Sequence, residues 1–543
     1  MNVRGPDLTP DVDLVAAPGT GAVRSRRPMY RDFLPPCTEA CPAGERIQAW
    51  LAQAAAGRDR EAWELIVRDN PLPAVHGRVC YRPCESACNR AEFESAVSIH
   101  AVERHLGDRA LQEGWPLPAG AAPSGRRVLV VGAGPAGLSA GYHLARLGHA
   151  VEIHDAEPLA GGMMRFGIPA YRLPRAVLDG EVSRLQAYGL RLLPGSRIED
   201  LPASRATGHF DAVFVAIGAH ASQHIDIPAG DATRLLDALS LLRDVSAGER
   251  PQLGRRVVVY GGGNTAMDAA RTVKRLGAAD PLIVYRRDRA HMPARAFEVQ
   301  EAEEEGVRFK WLTTIREIEG DGLRVEQMRL DADGRPQPTG RFERIEADAV
   351  VLAVGQQSES AFLARIPGVE ITAGGTVRVG TNLMTGCPGI FAGGDLVPGE
   401  RTVTAAVGHG RRAARHIDAW LRGTVDVAQT LPPRVTFSML HLPLFSDVAR
   451  SPETRLPPET RTGDFAEVMA GLSAAQARRE AERCLSCGNC YECDICLAAC
   501  PEGAIGKLGA GHGYRIDYER CTGCAVCFES CPCHAIEMAD EPA

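Results

Sequence analysis

The sequence predicts an α/β core of two parallel-sheet nucleotide-binding units, with a helical region before it and a small cysteine-rich α+β module after it. Two observations predict the core. Val128–Val131 and Val257–Tyr260 are short apolar runs, and each leads into a glycine-rich turn and then a helix pattern. A strand that ends in glycines and opens a helix is the repeating unit of a doubly wound sheet. A third observation predicts the flanks. Of the 17 cysteines, all but Cys387 fall in two blocks, Cys37–Cys88 and Cys484–Cys533. A chain of 543 residues is also too long for one hydrophobic core, so several domains are expected.

The composition excludes some partners. The hydrophobic fraction of 45% and charged fraction of 24% are those of an ordinary globular chain. A formal net charge of −7 argues against nucleic acid. No apolar run approaches the ~18–20 residues of a membrane helix. Ser25-Arg26-Arg27 has the look of an export signal, but Phe33-Leu34-Pro35-Pro36-Cys37 supplies no apolar stretch after it, so the arginines read as solvated charge. The cytoplasm is the expected compartment. Clustered cysteines in a reducing compartment read as metal ligands, not as a disulfide framework.

The elements follow in order. Residues 1–120 form the N-terminal region. It starts rich in Pro, Gly and charge, and Ile47, Trp50, Leu51 and Ala54 then recur at helical spacing. Gly114–Gly125, with Pro116, Pro118 and Pro123, reads as a linker. Further strands are expected at Ala150–His154, Ala212–Ile217, Pro281–Tyr285 and Ala349–Val354. Residues 426–475, rich in Pro and Thr, are expected as an extended linker, residues 476–543 as the C-terminal module, and Ala474–Arg483 as a helix that leads into the second cysteine block.

Gly132-Ala-Gly134-Pro135-Ala136-Gly137 is a Rossmann-like dinucleotide fingerprint. Gly132 permits the tight turn, Gly134 the approach of a pyrophosphate, and Gly137 close packing of helix on strand. Phosphates then lie at the positive helix end. Asp155 closes the next strand at the spacing of an acid for ribose hydroxyls. The second turn is Gly261-Gly262-Gly263-Asn264-Thr265-Ala266. Its following strand ends in Arg286-Arg287, and a guanidinium there suits a 2′-phosphate. NADP(H) is therefore expected in preference to NAD(H). Two such sites suggest that one holds a flavin and the other delivers hydride.

Several motifs in one order carry a resemblance. The block from Gly132 to about Leu421 resembles the pyridine-nucleotide–disulfide-oxidoreductase-like flavoproteins, in the branch of the glutamate synthase small subunit. The resemblance implies FAD at the first fingerprint. It also implies flavin contacts from Gly162, Met163, Arg165, Gly167 and Ile168 in Gly161–Pro169, from Gly394 and Asp395 in Ile390–Asp395, and from Thr402, Thr404 and Ala405 at the next helix start. Gly263–Asp268 with Arg286 and Arg287 resembles the family's NADPH site, which brings in Asp268. The implied FAD domain spans 125–220 and 356–425, with the NAD(P)H domain at 221–355 between. No Cys-x4-Cys redox pair follows the first fingerprint. Cys387 reads as a structural thiol, and electrons must leave the flavin by another route.

That route is the cysteine blocks. Cys490-x2-Cys493-x2-Cys496-x3-Cys500-Pro is followed by Cys521-x2-Cys524-x2-Cys527-x3-Cys531-Pro. The fourth cysteine of each run ligates the other cluster, so the expected sets are Cys490, Cys493, Cys496 with Cys531, and Cys521, Cys524, Cys527 with Cys500. This resembles a two-cluster 4Fe–4S ferredoxin, with Cys533 as a bystander and zinc as the weaker alternative. In the N-terminal block the family resemblance maps one 4Fe–4S cluster onto Cys41, Cys80, Cys84 and Cys88, with His76 read as a surface histidine. The family's second N-terminal cluster begins with Arg-Cys-x2-Cys-Gly, which is absent before Cys37 but present as Arg483-Cys484-Leu-Ser-Cys487-Gly488. Either Cys37, Cys484 and Cys487 are unligated, leaving three clusters, or they join a fourth ligand in a fourth cluster.

No nucleophile–base constellation marks a catalytic residue. The expected activity is oxidoreduction between NAD(P)H, FAD, 4Fe–4S clusters and a ferredoxin or the catalytic subunits of a larger redox complex, in either direction. A free-standing NADPH:ferredoxin oxidoreductase and a non-catalytic relay subunit are the alternatives.

Overall fold

The computed structural model describes residues 24–223, 227–228, 234–320, 322–425, 430–441 and 446–542. The Pro- and Gly-rich start up to residue 23, and residues 426–429 and 442–445 of the expected linker, lie outside the described residues.

Two five-stranded parallel sheets form the core. In the first, the order is Ile390–Ala392, Ala212–Val215, Arg127–Val131, Ala150–His154 and Arg191–Leu193. In the second it is Arg308–Lys310, Asp280–Val284, Arg256–Tyr260, Ala349–Leu352 and Arg234–Asp237. The strand that carries the glycine turn is central in each. Its residues are apolar on both faces because helices cover both sides of a parallel sheet: Val128, Leu129, Val130, Val257 and Val259 are all buried. A three-stranded antiparallel sheet, Thr313–Glu319, Gly322–Leu330 and Pro336–Glu346, extends the second unit.

One device anchors both sheets. Asp211 accepts from Arg127 N at 2.8 Å, and Asp348 accepts from Arg256 N at 2.9 Å. Each acid precedes a strand and holds it against the start of the central one.

The N-terminal region packs as helices Ile47–Ala55, Asp59–Val67, Pro73–Val79 and Ile99–Gln112. Ile47, Trp50, Leu51 and Ala54 all point into its core. The stretch expected as a linker at Gly114–Gly125 lies against the body, with Trp115 set edge-on to Trp63 at 5.7 Å. The segment 430–475 is likewise not a free tether: Val468 N donates to Tyr171 O at 3.0 Å, and Arg461 pairs with Glu304 at 3.0 Å.

The first and last described segments meet. Helix Ala474–Glu482, started by a Ser473–Gln476 capping box, lies on the N-terminal helices. The last strand, Ile536–Asp540, pairs antiparallel with Arg26–Tyr30 in the register Arg26↔Asp540 to Tyr30↔Ile536. Arg26 and Arg27 are therefore strand residues against the C-terminal module, and Arg27 lies over the Tyr518 ring at 4.7 Å. Among the described residues no helix is long and apolar enough to cross a membrane.

Candidate functional site

The two glycine turns are built alike. Gly132 N donates to His154 O at 2.7 Å, and Gly261 N donates to Val284 O at 3.1 Å. Gly134 and Gly263 cap helices Pro135–Arg146 and Asn264–Arg275. The reasons for glycine differ along each turn. A Cβ on Gly132, whose φ is +107°, would lie 2.4 Å from Ala216 O, and one on Gly137 would lie 1.8 Å from Gly132 O. Those two glycines serve the packing of the protein. Beside Gly134 only Gly162 Cα lies within reach, at 3.9 Å, and beside Gly263 nothing lies within 4 Å. The space in front of these middle glycines is open for a ligand backbone, as a pyrophosphate requires.

Between the sheets lies a cavity of about 720 Å³. From the first unit Gly134, Pro135, Ala136, Met163, Gly167, Ile168, Gly394, Asp395 and Thr402 line it, and from the second Gly261, Gly263, Asn264, Thr265, Asp268, Arg286 and Arg287. Burial pushes the Asp395 carboxyl up to about 6, with Arg401 pulling it back. Among the described residues no ion pair holds Arg286 or Arg287, and Arg287 Nε is buried without a hydrogen-bond partner, which leaves both guanidinium groups available to an anion. Tyr81, Arg172, His220, Gln356 and Arg401 also line the cavity. They stand in no motif, so the sequence offered no signal for them beyond residue type.

Other expected residues lie off this cavity or, like Asp268 on its lining, are held by protein partners. Asp155 and Arg165 line a neighbouring cavity of about 320 Å³ beside the first turn. Asp155 accepts from Ala133 N at 2.5 Å and Glu157 N at 2.8 Å, so it braces the turn. Arg165 donates to Ala160 O at 2.6 Å and pairs with Asp179. Gly162, at φ +51°, packs against Gly134. Ala266 is in the core of the second unit. Asp268 is engaged by Arg172 at 2.7 Å, and the same guanidinium reaches Glu298 at 2.7 Å. Ala405 N donates to Thr402 Oγ1 at 3.1 Å, starting helix Val403–Leu421. Thr404 turns away from the nucleotide cavity and lines a thiol pocket instead.

That pocket holds Cys41, Cys80 and Cys84, together with Glu45, His76 and Glu103. His76 is buried, which corrects its reading as a surface residue. Its Nδ1 lies 3.8 Å from both Glu45 and Glu103. Asn70 donates to Glu45 at 3.0 Å and to Glu103 at 2.8 Å. Burial raises the Glu103 carboxyl well above the usual range and Glu45 to about 7, and it lowers His76 to about 3. Buried acids held this way seek a cation or a proton.

Cys88 is not in this pocket, a correction to its expected grouping with Cys41, Cys80 and Cys84. It lies with Cys37, Cys484 and Cys487. The expected sets in the C-terminal module do come together. Cys490 has Cys496, Cys531 and Cys493 as its neighbouring thiols, and Cys500, Cys521, Cys524 and Cys527 line one small cavity. Cys533 Sγ lies 3.9 Å from Cys531 Sγ. All 17 cysteines are free thiols. Grouped unpaired sulfurs of this kind fit iron–sulfur clusters, and the open turns with the arginine pair fit dinucleotides.

The chain matches the family described as pyridine nucleotide-disulphide oxidoreductase over residues 126–410. It also matches dihydropyrimidine dehydrogenase domain II, 4Fe-4S cluster, over 30–115, and the 4Fe-4S dicluster domain over 489–535. It is 37% identical over 506 residues to the NADP(+)-dependent formate dehydrogenase subunit beta of Moorella thermoacetica, covering 84% of this chain and 71% of that one. It is 34% identical over 508 residues to the NADPH-Fe(3+) oxidoreductase subunit beta of Geobacter sulfurreducens, covering 84% and 75%. It is 35% identical over 418 residues to the glutamate synthase [NADPH] small chain of Escherichia coli K12, covering 71% and 89%.

Proposed function

The chain belongs to the pyridine nucleotide-disulphide oxidoreductase family, and from that premise we propose that it moves electrons between NADP(H), FAD, 4Fe–4S clusters and a partner subunit of a larger redox complex. FAD exchanges a hydride with a nicotinamide and single electrons with clusters, which is chemistry that no side chain supplies.

The protein's part is to bind, orient and insulate. Gly134 and the amino end of Pro135–Arg146 would receive the FAD pyrophosphate, with Asp395 and Thr402 toward the ribityl and ring end. Gly263 and Asn264–Arg275 would receive the NADPH pyrophosphate, and Arg286 and Arg287 its 2′-phosphate. The Arg172–Asp268 ion pair joins a loop of the first unit to a helix of the second, which holds the two nucleotide sites at a fixed distance.

One observation carries the reading: the nucleotide cavity and the Cys41–Cys80–Cys84 pocket are back to back. Val79 and Tyr81 line the first while Cys80 lines the second. Thr402 and Val403 line the first while Thr404 lines the second. Cys80 and Thr404 thus each stand next in the chain to residues that line the nucleotide cavity. Cys41, Cys80 and Cys84 would hold a cluster there, with Glu45 or Glu103 supplying the fourth ligand. The 476–543 module would hold two more as a ferredoxin-like domain and present them to the partner. That three relatives are named as subunits or chains of enzymes supports a complex. The missing disulfide pair fits this exit. Anaerobic titration with NADPH tests the reading: bleaching of the flavin band followed by the broad cluster absorbance is expected, and no bleaching at all would leave only a relay role.

A further inference from the structure

We propose that Cys37, Cys88, Cys484 and Cys487 together hold a 4Fe–4S cluster whose ligands come from the two ends of the chain. Neither matched iron–sulfur family reaches Cys484 or Cys487, which lie between residues 115 and 489. The inference deepens the proposed electron route and concerns a site of its own.

The fold brings the four sulfurs to one place. Cys37 is buried, and the sulfurs of Cys484, Cys88 and Cys487 are its thiol neighbours. Cys484 has Cys487 and Cys88 as its thiol neighbours, and Cys487 has Cys88. Hydrogen bonds hold this arrangement on both sides. Asn89, next to Cys88, donates through Nδ2 to Cys487 Sγ at 3.5 Å. Arg90 donates to the carbonyl of Arg483 at 2.6 Å. Gln48 donates to Ser486 Oγ at 2.7 Å, and Phe33 N to Gly488 O at 3.0 Å.

The turn between Cys484 and Cys487 has the form of a metal knuckle. Ser486 stands at φ +52° and Gly488 at φ +80°, and Ser486 N donates to Cys484 Sγ at 3.4 Å. A side chain at 488 would meet Phe33 Cβ at 2.5 Å and Val435 Cγ2 at 2.7 Å, so the knuckle is seated tightly in the N-terminal body. Four sulfurs brought together in a buried place repel one another as thiolates. A cluster core removes that repulsion. Structural zinc sites commonly use two close-spaced cysteine pairs, and here there is one such pair plus two isolated cysteines, which favours the cubane.

The consequence is a wire without a gap. The new site lies between the Cys41–Cys80–Cys84 pocket and the C-terminal module, since Cys37 neighbours Cys84 on one side and Gly488 N donates to Cys533 O at 2.6 Å on the other.

The test is iron and zinc content with low-temperature EPR, on the full chain purified and reconstituted anaerobically. About sixteen iron atoms per chain are expected, falling by about four, with loss of one reduced-cluster signal, in C484S/C487S. C387S serves as the control and leaves both unchanged. About twelve iron atoms in the unsubstituted chain, unchanged in the double variant, would overturn the proposal, as would one zinc ion lost with the two cysteines. Should the variant not fold, alkylation of the unsubstituted chain decides. Cys37, Cys88, Cys484 and Cys487 are then protected together until iron is stripped, and their alkylation with the iron retained would sink the assignment. NADPH bleaching of the flavin is expected in every case, so failure here leaves the proposed function standing.

Discussion

Arg90 donates from Nη1 to the carbonyl oxygen of Arg483 at 2.6 Å, joining the residue two places after Cys88 to the one just before Cys484. Arg483 in turn reaches back to Ser95 O at 2.7 Å and pairs with Glu94 at 3.0 Å. Residues almost four hundred positions apart thus form one buried polar joint at the place where the two cysteine blocks meet. The joint is made by protein groups and lies beside the sulfurs of both blocks.

Gly137→Ala is expected to cost bound flavin. The added methyl would overlap Gly132 O, and forcing strand and helix apart costs about 1–3 kcal/mol. Gly263→Ala should keep the flavin, because its Cβ meets no protein atom, and weaken NADPH binding. Flavin released on denaturation and NADPH affinity measure the two effects.

Arg286→Ala and Arg287→Ala should each raise the KM for NADPH about ten- to a hundredfold and leave NADH turnover nearly unchanged. A guanidinium–phosphate contact contributes about 1.5–3 kcal/mol, and neither arginine loses a protein partner. Equal losses with both coenzymes would remove the 2′-phosphate assignment.

Arg172→Met should destabilise the protein by about 3–5 kcal/mol, since it removes the cation that pairs with both buried acids, Asp268 and Glu298. R172M/D268N should recover part of that loss. Thermal unfolding of the holoprotein reads both, and the nucleotide units should separate first.

Asp348 gives a pH signature. Hydrogen bonds from the Arg256 side chain and the Arg256 and Arg255 backbone hold its carboxyl down at about 2. The stabilisation is present above the ordinary carboxylate range of ~3.9 and is lost as pH falls through about 2. Asp348→Asn should therefore lower the denaturant midpoint at neutral pH, and its midpoint should fall less steeply on acidification than that of the unsubstituted chain.

Much of the site was legible in the chain because its chemistry needs short-range patterns. Gly134 and Gly263 sit where only a ligand explains a missing side chain, and the spacing of Cys490–Cys500 and Cys521–Cys531 is a property of a few turns of backbone. What lay beyond reading were contacts made between segments. Tyr81, His220 and Arg401 reach the nucleotide cavity from separate loops. Thr404 looks like a flavin contact in its motif, yet the direction of its helix face turns it to the thiols. His76 reads as a surface residue by type, yet its own helix, Pro73–Val79, packs on Ile99–Gln112 and buries it.

The sequence by itself determined the two nucleotide turns, the arginine pair and the ferredoxin-like cysteine runs, since each is fixed by neighbours along the chain. Only the tertiary structure decided which sulfurs of the two cysteine blocks lie together. Cys88 stands four residues from Cys84, yet its thiol neighbours are Cys37, Cys484 and Cys487. Its partners are set by the packing of helix Ala474–Glu482 on the N-terminal helices and by the pairing of Ile536–Asp540 with Arg26–Tyr30. Such long-range closure depends on the buried surface of the whole molecule, and no local spacing encodes it.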